Sequence, residues 1–178
     1  EDTGCVVESF GRRVVVLRSG GERAPCKLSR RGMDLVAGDE VRVEFGERDD
    51  EWTVVERLPR RNVLCRSDSR GRSESLAANL DQLGIVVSPK PASDPFVVDR
   101  YLAGASYAGI AALLVVNKVD LPAEAGDLSF VEPLRAIGLP VVSVSARSGT
   151  GLDELVARLA GRRSLLAGQS GVGKSSLL

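Results

Sequence analysis

The segment SLLAGQSGVGKSSLL, Ser164 to Leu178, constrains the fold of this 178-residue chain more than any other. A short apolar run enters a loop with glycines at 168, 171 and 173, and Lys174 and Ser175 open what the pattern predicts to be a helix. Glycines let a backbone wrap closely, and the amides of such a loop, with the positive end of a following helix, meet negative charge. The spacing G-x-x-x-x-G-K-S is that of a phosphate-binding loop, which needs a buried strand before it and a helix after it. Lys174 is expected to reach the β- and γ-phosphates of a nucleotide, and the Ser175 hydroxyl to ligate a bridging Mg²⁺. The predicted nucleotide contacts here are Gly168, Gln169, Ser170, Gly171, Val172, Gly173, Lys174, Ser175 and Ser176, with Lys174 and Ser175 as catalytic candidates. The bland alternative is a Gly-rich strand-to-helix turn.

The second half of the chain supplies a matching sheet. LGIVVS (83–88), IAALLVV (110–116), LPVVSVS (139–145) and SLLAG (164–168) read as strands buried on both faces. Between them, Val97, Val98, Tyr101, Leu102 and Ala105 share a helical face, as do Phe130, Leu134 and Ile137, and Leu152, Leu155, Val156 and Leu159. This alternation predicts an α/β domain with a mainly parallel sheet, whose ligands bind at the carboxyl ends of the strands. NKVD, Asn117 to Asp120, stands at such an end. Guanine presents an N1–H and an exocyclic amine on one edge, and Asp120 is suited to accept both, whereas adenine would face it with an acceptor. Asn117 is expected to donate to the purine N7 and tie the loop, the Lys118 stem to lie over the ring, and the Ala146 N–H, next to Ser145, to donate to O6. Alone, NKVD also describes an ordinary polar turn. Three such loops after three predicted parallel strands, however, should open on one rim. An ATPase or kinase with an accessory barrel is the reading that NKVD disfavours.

Up to about residue 70 the hydrophobicity alternates with period two. CVVESF, RRVVVLRS, ERAPCKLS, DEVRVEF and EWTVVERL are separated by turns such as 19–21 and 46–50, and predict a five-stranded barrel. An OB-fold is the expected form, with an SH3-like barrel as the alternative. Phe45 and Trp52 are expected in its core. Residues 58–75 read as a polar connector, which places the domains at 1–70 and 76–178. Basic and acidic residues balance at 24 each, so affinity for nucleic acid must come from local arrangement. Arginines cluster at 12–13, 30–31 and 60–61, followed by Arg66, Arg70 and Arg72, and either bind RNA or form a solvated face. Cys5, Cys26 and Cys65 have no metal-site spacing, the chain has no histidine, and the thiols are expected reduced and buried. No apolar run reaches membrane-spanning length, which leads us to expect a cytoplasmic protein with no membrane partner. The chain opens on Glu1 and stops in a segment expected to be helical, so it is read as part of something longer.

In most guanine-nucleotide switches the phosphate loop precedes the base-reading loops. Here Asn117 and Ser145 precede Gly168, the order of a circular permutation. With AANLDQLGIVVS, DRYL, NKVDL, VSVSA and GQSGVGKSSLL in this sequence, the chain resembles the circularly permuted, small-ribosomal-subunit-dependent GTPases (RsgA, also called YjeQ). The resemblance implies an N-terminal OB-fold, then a P-loop GTPase domain that is incomplete at its C-terminal end. It also implies a monomer that binds GTP or GDP with Mg²⁺, docks on the small subunit, contacts rRNA through the barrel and acts late in subunit maturation. The family's zinc-binding C-terminal domain and the Asp-x-x-Gly switch loop that follows its P-loop are not among these residues.

Overall fold

Valines spaced two apart begin the barrel. Val14 and Val16, Ala24 and Cys26, and Val41 and Val43 turn the same way on their strands, and with Val6, Leu35 and Val54 they form one buried cluster. The computed structural model describes residues 2–46, 50–67, 71–122 and 126–178. It divides into two compact units, Glu1–Leu80 and Asp81–Leu178.

In the first unit β1 (Asp2–Ser9), β2 (Arg13–Arg18), β3 (Arg23–Leu28), β4 (Glu40–Gly46) and β5 (Glu51–Arg57) close into a barrel of order β1-β2-β3-β5-β4. The β3–β5 pair is parallel and the others antiparallel. Trp52 packs against the core, but Phe45, its cross-strand neighbour, is 45% exposed, so Phe45 is not a core residue as expected. The rings sit 5.2 Å apart, and the Arg18 guanidinium lies 3.9 Å from the Trp52 ring centre. Of the three thiols only Cys26 is buried; Cys5 is half-buried and Cys65 exposed. Burial pushes the Cys26 thiol up to about 11. Part of the turn expected at 46–50 lies outside the described residues.

The expected connector is instead a hairpin. β6 (Val63–Ser67) pairs antiparallel with β7 (Ser73–Ala78), and Arg70 lies outside the described residues. The hairpin buries Leu64, Ala77 and Ala78, and polar groups fasten it to the barrel. Arg60 Nε donates to Oδ1 of fully buried Asp39 at 2.7 Å and its NH2 to Oδ2 at 2.9 Å, while the same NH2 reaches the Asp34 carbonyl at 3.0 Å. Asn79, at φ 55°, accepts from the Arg61 N–H and donates to the Gly38 carbonyl. The Arg61 guanidinium donates to the Asn79 carbonyl. Arg60 and Arg61 are thus fastenings of this unit.

In the second unit β8 (Gln82–Val87), β9 (Ala111–Val116), β10 (Val141–Ser143) and β11 (Ser164–Ala167) form a parallel sheet of order β10-β9-β8-β11. Every residue of β8 is buried, as the continuous apolar run predicts. Helix α1 (Pro95–Tyr107) buries Val98 and Ala105, α2 (Val131–Ala136) buries Val131, and α3 (Leu152–Leu159) buries Leu155 with Leu152 and Leu159 beside it. Two residues expected on buried faces are exposed, Ile137 at 80% and Val156 at 64%. Ile137 caps a helix that ends at Ala136 before left-handed Gly138, and so leaves the helical face. The packed stripe of α3 runs i, i+3, i+7 and leaves Val156 at its margin.

Candidate nucleotide-binding site

The polypeptide leaves β11 directly into the glycine-rich loop. Gly168, at φ 147°, lies so close to Val86 that an added Cβ would strike the Val86 carbonyl oxygen. Val172 is fully buried and packs among Val86, Val115 and Val142, so its side chain anchors the loop and only its backbone belongs to the rim. Lys174 to Ser176 form a single 3₁₀ turn where a helix start is expected. Lys174 Nζ arches over the loop and donates to the carbonyls of Gly168 and Gln169 at 3.0 and 2.7 Å. Ser170, Ser175 and Ser176 are exposed.

Asn117 follows β9 and is 1% exposed. Its Nδ2 donates to the Val172 carbonyl at 2.9 Å, and its Oδ1 accepts from the Ala146 N–H at 3.3 Å. One buried amide thus ties all three loops together, a strut that fixes their separation. Lys118, at φ 64°, sends its ammonium to the carbonyls of Gly171 and Lys90 at 2.6 and 2.7 Å. These bonds hold a left-handed backbone that a side-chain-bearing residue rarely adopts. Fully buried Ser145 donates from its hydroxyl to Asp120 Oδ1 at 2.6 Å and accepts from the Ser148 N–H at 3.1 Å. That hydroxyl does most to hold the exposed Asp120 carboxyl below its ordinary 3.8, with smaller contributions from the charges of Arg147 and Lys118. The carboxylate is therefore ionised at neutral pH, aimed, and open to solvent.

These loops border a cavity of about 450 Å³, lined by Asn117, Lys118, Asp120, Ala146, Gly173 and Ser176 together with Lys90 and Arg147. A larger concavity of about 600 Å³ shares Lys118 and Leu121 with it. Its other walls, among them Pro89, Val116, Pro122 and Leu128, carry neither the Asp120 carboxylate nor the glycine-rich backbone, so the smaller one is the candidate site.

Sequence reasoning overlooked the β8–α1 loop. Besides the Lys90 carbonyl, it brings Pro91 against Gly171 and the Asp94 N–H to Gln169 Oε1 at 3.1 Å. The sequence signal is a Pro/Ser/Asp cluster, Ser88 to Asp94, after β8, the first of the four buried strands; that β8 lies beside β11, next to the glycine-rich loop, comes from the folded sheet.

Gly173 shows how tightly the arrangement is set. At φ 97° its Cβ position points into Asn117 Nδ2. Gly173→Ala is expected to displace the strut and reduce GDP affinity at least about tenfold while leaving the barrel's unfolding, followed by Trp52 fluorescence, unchanged. Equal affinity in the variant, by calorimetry, would show that the contact has room to relax.

Among the described residues no group of three or more His, Cys, Asp or Glu could hold a metal ion. A cation here would take most of its ligands from phosphate and water, and the exposed Ser175 hydroxyl fits the role of a single protein ligand, as Mg²⁺ accepts.

Comparison with known proteins gives the same pattern a family. The model of the family described as RsgA GTPase matches residues 57–178, the whole α/β unit with the hairpin before it. The chain belongs to the RsgA GTPase family. The small ribosomal subunit biogenesis GTPase RsgA of Pseudomonas aeruginosa is 41% identical over 181 residues, covering 100% of this chain and 53% of that protein. That of Azotobacter vinelandii is 42% identical over 185 residues, covering 100% and 54%. The crystal structure of YjeQ from Thermotoga maritima superposes with a TM-score of 0.74 at 30% identity, over 99% of this chain and 63% of that one. The chain thus spans about half the length of these curated RsgA relatives, and the likeness to YjeQ takes in both the five-stranded barrel and the parallel sheet.

Proposed function

We propose that this chain is the RNA-contacting and guanine-nucleotide-binding portion of a GTPase that serves small ribosomal subunit biogenesis. The observation that carries the reading is the convergence of Asp120, Asn117, Ala146 and the Gly168–Ser176 loop on one cavity, in a member of the RsgA GTPase family. Asp120, oriented by Ser145, accepts the N1–H and amine of guanine. The Lys118 stem forms a wall of the base site, Asn117 Nδ2 is near enough to turn its second N–H toward N7, the Ala146 N–H on leaving Asn117 Oδ1 donates to O6, and the loop amides and Lys174 surround the phosphates. Phosphoryl transfer is catalysed chiefly by positioning and charge, and the Lys174 ammonium, released from two carbonyls, is the group that neutralises charge on the β- and γ-phosphates. Ser175 is the residue that would hold Mg²⁺, which supplies further neutralisation of the phosphates when bound. Hydrolysis belongs to the longer protein, with its switch segments and, as the resemblance implies, a zinc-binding domain.

We assign rRNA contact to the barrel unit and expect the protein to act as a cytoplasmic monomer. No described helix is long and apolar enough to cross a membrane. Titrating the chain with GDP and ADP by calorimetry tests the nucleotide class. GDP is expected to bind at least about a hundredfold more tightly, and equal affinities would overturn the guanine assignment.

A further inference from the structure

The barrel carries a second concave surface. A cavity of about 620 Å³ opens at the turn before β2 and the loop after β3, lined by Leu28 and Met33, which both pack against the barrel core, and by exposed Arg12, Arg30 and Arg31. These arginines differ from the rest of the barrel's. Arg13 pairs with Glu51 at 2.9 Å, Arg18 with Asp2 at 2.7 Å, Arg23 with Glu8 at 2.5 Å, and Arg42 with Glu56 at 2.6 Å. The side chains of Arg12, Arg30 and Arg31 make no ion pair or hydrogen bond among the described residues. Among the described residues the cavity's one carboxylate, Asp34, lies 3.7 Å from the Arg60 guanidinium and accepts from the Ser75 hydroxyl at 3.2 Å, so its charge is already engaged.

Three uncommitted guanidiniums lining one cavity form a local positive field on a chain of zero net charge. Their planar forks match phosphate oxygens. A floor of Leu28 and Met33 adds nothing for a duplex, which keeps its bases stacked behind its phosphates, but it receives the flat face of a base that has left the stack. We propose that this cavity takes an unstacked nucleotide of single-stranded RNA, its phosphates on Arg12, Arg30 and Arg31 and its base on the Leu28–Met33 floor. The assignment rests on the reading of the chain as an rRNA-binding factor, and it names the surface and the form of RNA.

The test uses this 178-residue chain and a short fluorescein-labelled single-stranded oligoribonucleotide, followed by anisotropy across a salt series. The triple variant Arg12→Ala/Arg30→Ala/Arg31→Ala is expected to bind at least about tenfold more weakly, with the slope of log affinity against log salt reduced by about 2. Arg23→Ala, which removes an exposed but paired arginine of the same barrel, should bind as the parent does, and GDP affinity should be unchanged in both variants. An abasic oligomer of equal charge should bind the parent several-fold more weakly, and a duplex more weakly still. RNA binding by the triple variant equal to the parent's would overturn the cavity assignment and leave the rRNA reading standing. Equal binding of abasic or duplex RNA would overturn the seating of a base. A parent chain that ignores RNA but binds polyglutamate through the three arginines would overturn the rRNA reading and assign the rim to an acidic protein.

Discussion

Asp120→Asn is expected to lower GDP affinity by about a hundredfold or more and to raise affinity for xanthosine diphosphate by a comparable factor. On the proposed reading the carboxylate accepts both guanine donors, whereas an amide would accept from N1–H but turn a donor toward the exocyclic amine. Xanthine carries a carbonyl in that place, and the amide satisfies it. The side chain that makes the difference is exposed and held by the Ser145 hydroxyl at 2.6 Å, so the substitution changes chemistry at the rim without opening the core. Competition between GDP and xanthosine diphosphate, measured by calorimetry in parent and variant, checks this. Unchanged selectivity would mean that Asp120 does not read the base.

The second large effect lies in the barrel unit. Arg60→Ala is expected to destabilise that unit by about 3–5 kcal/mol, because it leaves the Asp39 carboxylate buried with, among the described residues, the Val36 N–H as its remaining hydrogen-bond donor. For a unit of this size that corresponds to a fall in its unfolding midpoint of about 15 °C or more. Trp52, the one tryptophan of the chain, belongs to the barrel, so its fluorescence reports this transition. The paired change Arg60→Met/Asp39→Leu should recover much of the loss, since replacing a buried ion pair by apolar groups costs far less than breaking it. A midpoint within about 3 °C of the parent's for Arg60→Ala would show that water relieves Asp39, and that the hairpin is fastened by Asn79 and its neighbours instead.

What was legible in the sequence was contiguous. The glycine-rich loop and NKVD each carry their chemistry within a few residues, and the buried strands before them declare themselves by unbroken apolar runs, so the parallel sheet and the shared rim followed. The β8–α1 loop was missed because its place depends on strand order: β8 lies between β9 and β11, which only the folded sheet reveals. The hairpin escaped for a related reason. Most of β6 and β7 is polar or half-buried, and what fastens them is the bonding of Arg60 to Asp39 and of Asn79 to Gly38 and Arg61, residues far apart in sequence. Arginine clustering could not separate pairing from availability either. Arg42 finds Glu56 only through the register of β4 on β5, whereas Arg12, Arg30 and Arg31 face no such partner among the described residues. Exposed Ile137 and Val156 show that helical periodicity holds only as far as the helix and its packed stripe extend.

On the proposed function, three loops, reversed in their usual chain order, enclose one guanine nucleotide. Amide NMR spectra recorded during a GDP titration test it most directly. Gly171 and Lys174, Lys118 and Asp120, and Ala146 are expected all to shift along a single binding curve, with ADP producing no such set. Shifts confined to the glycine-rich loop, or curves with different midpoints for the three loops, would contradict it.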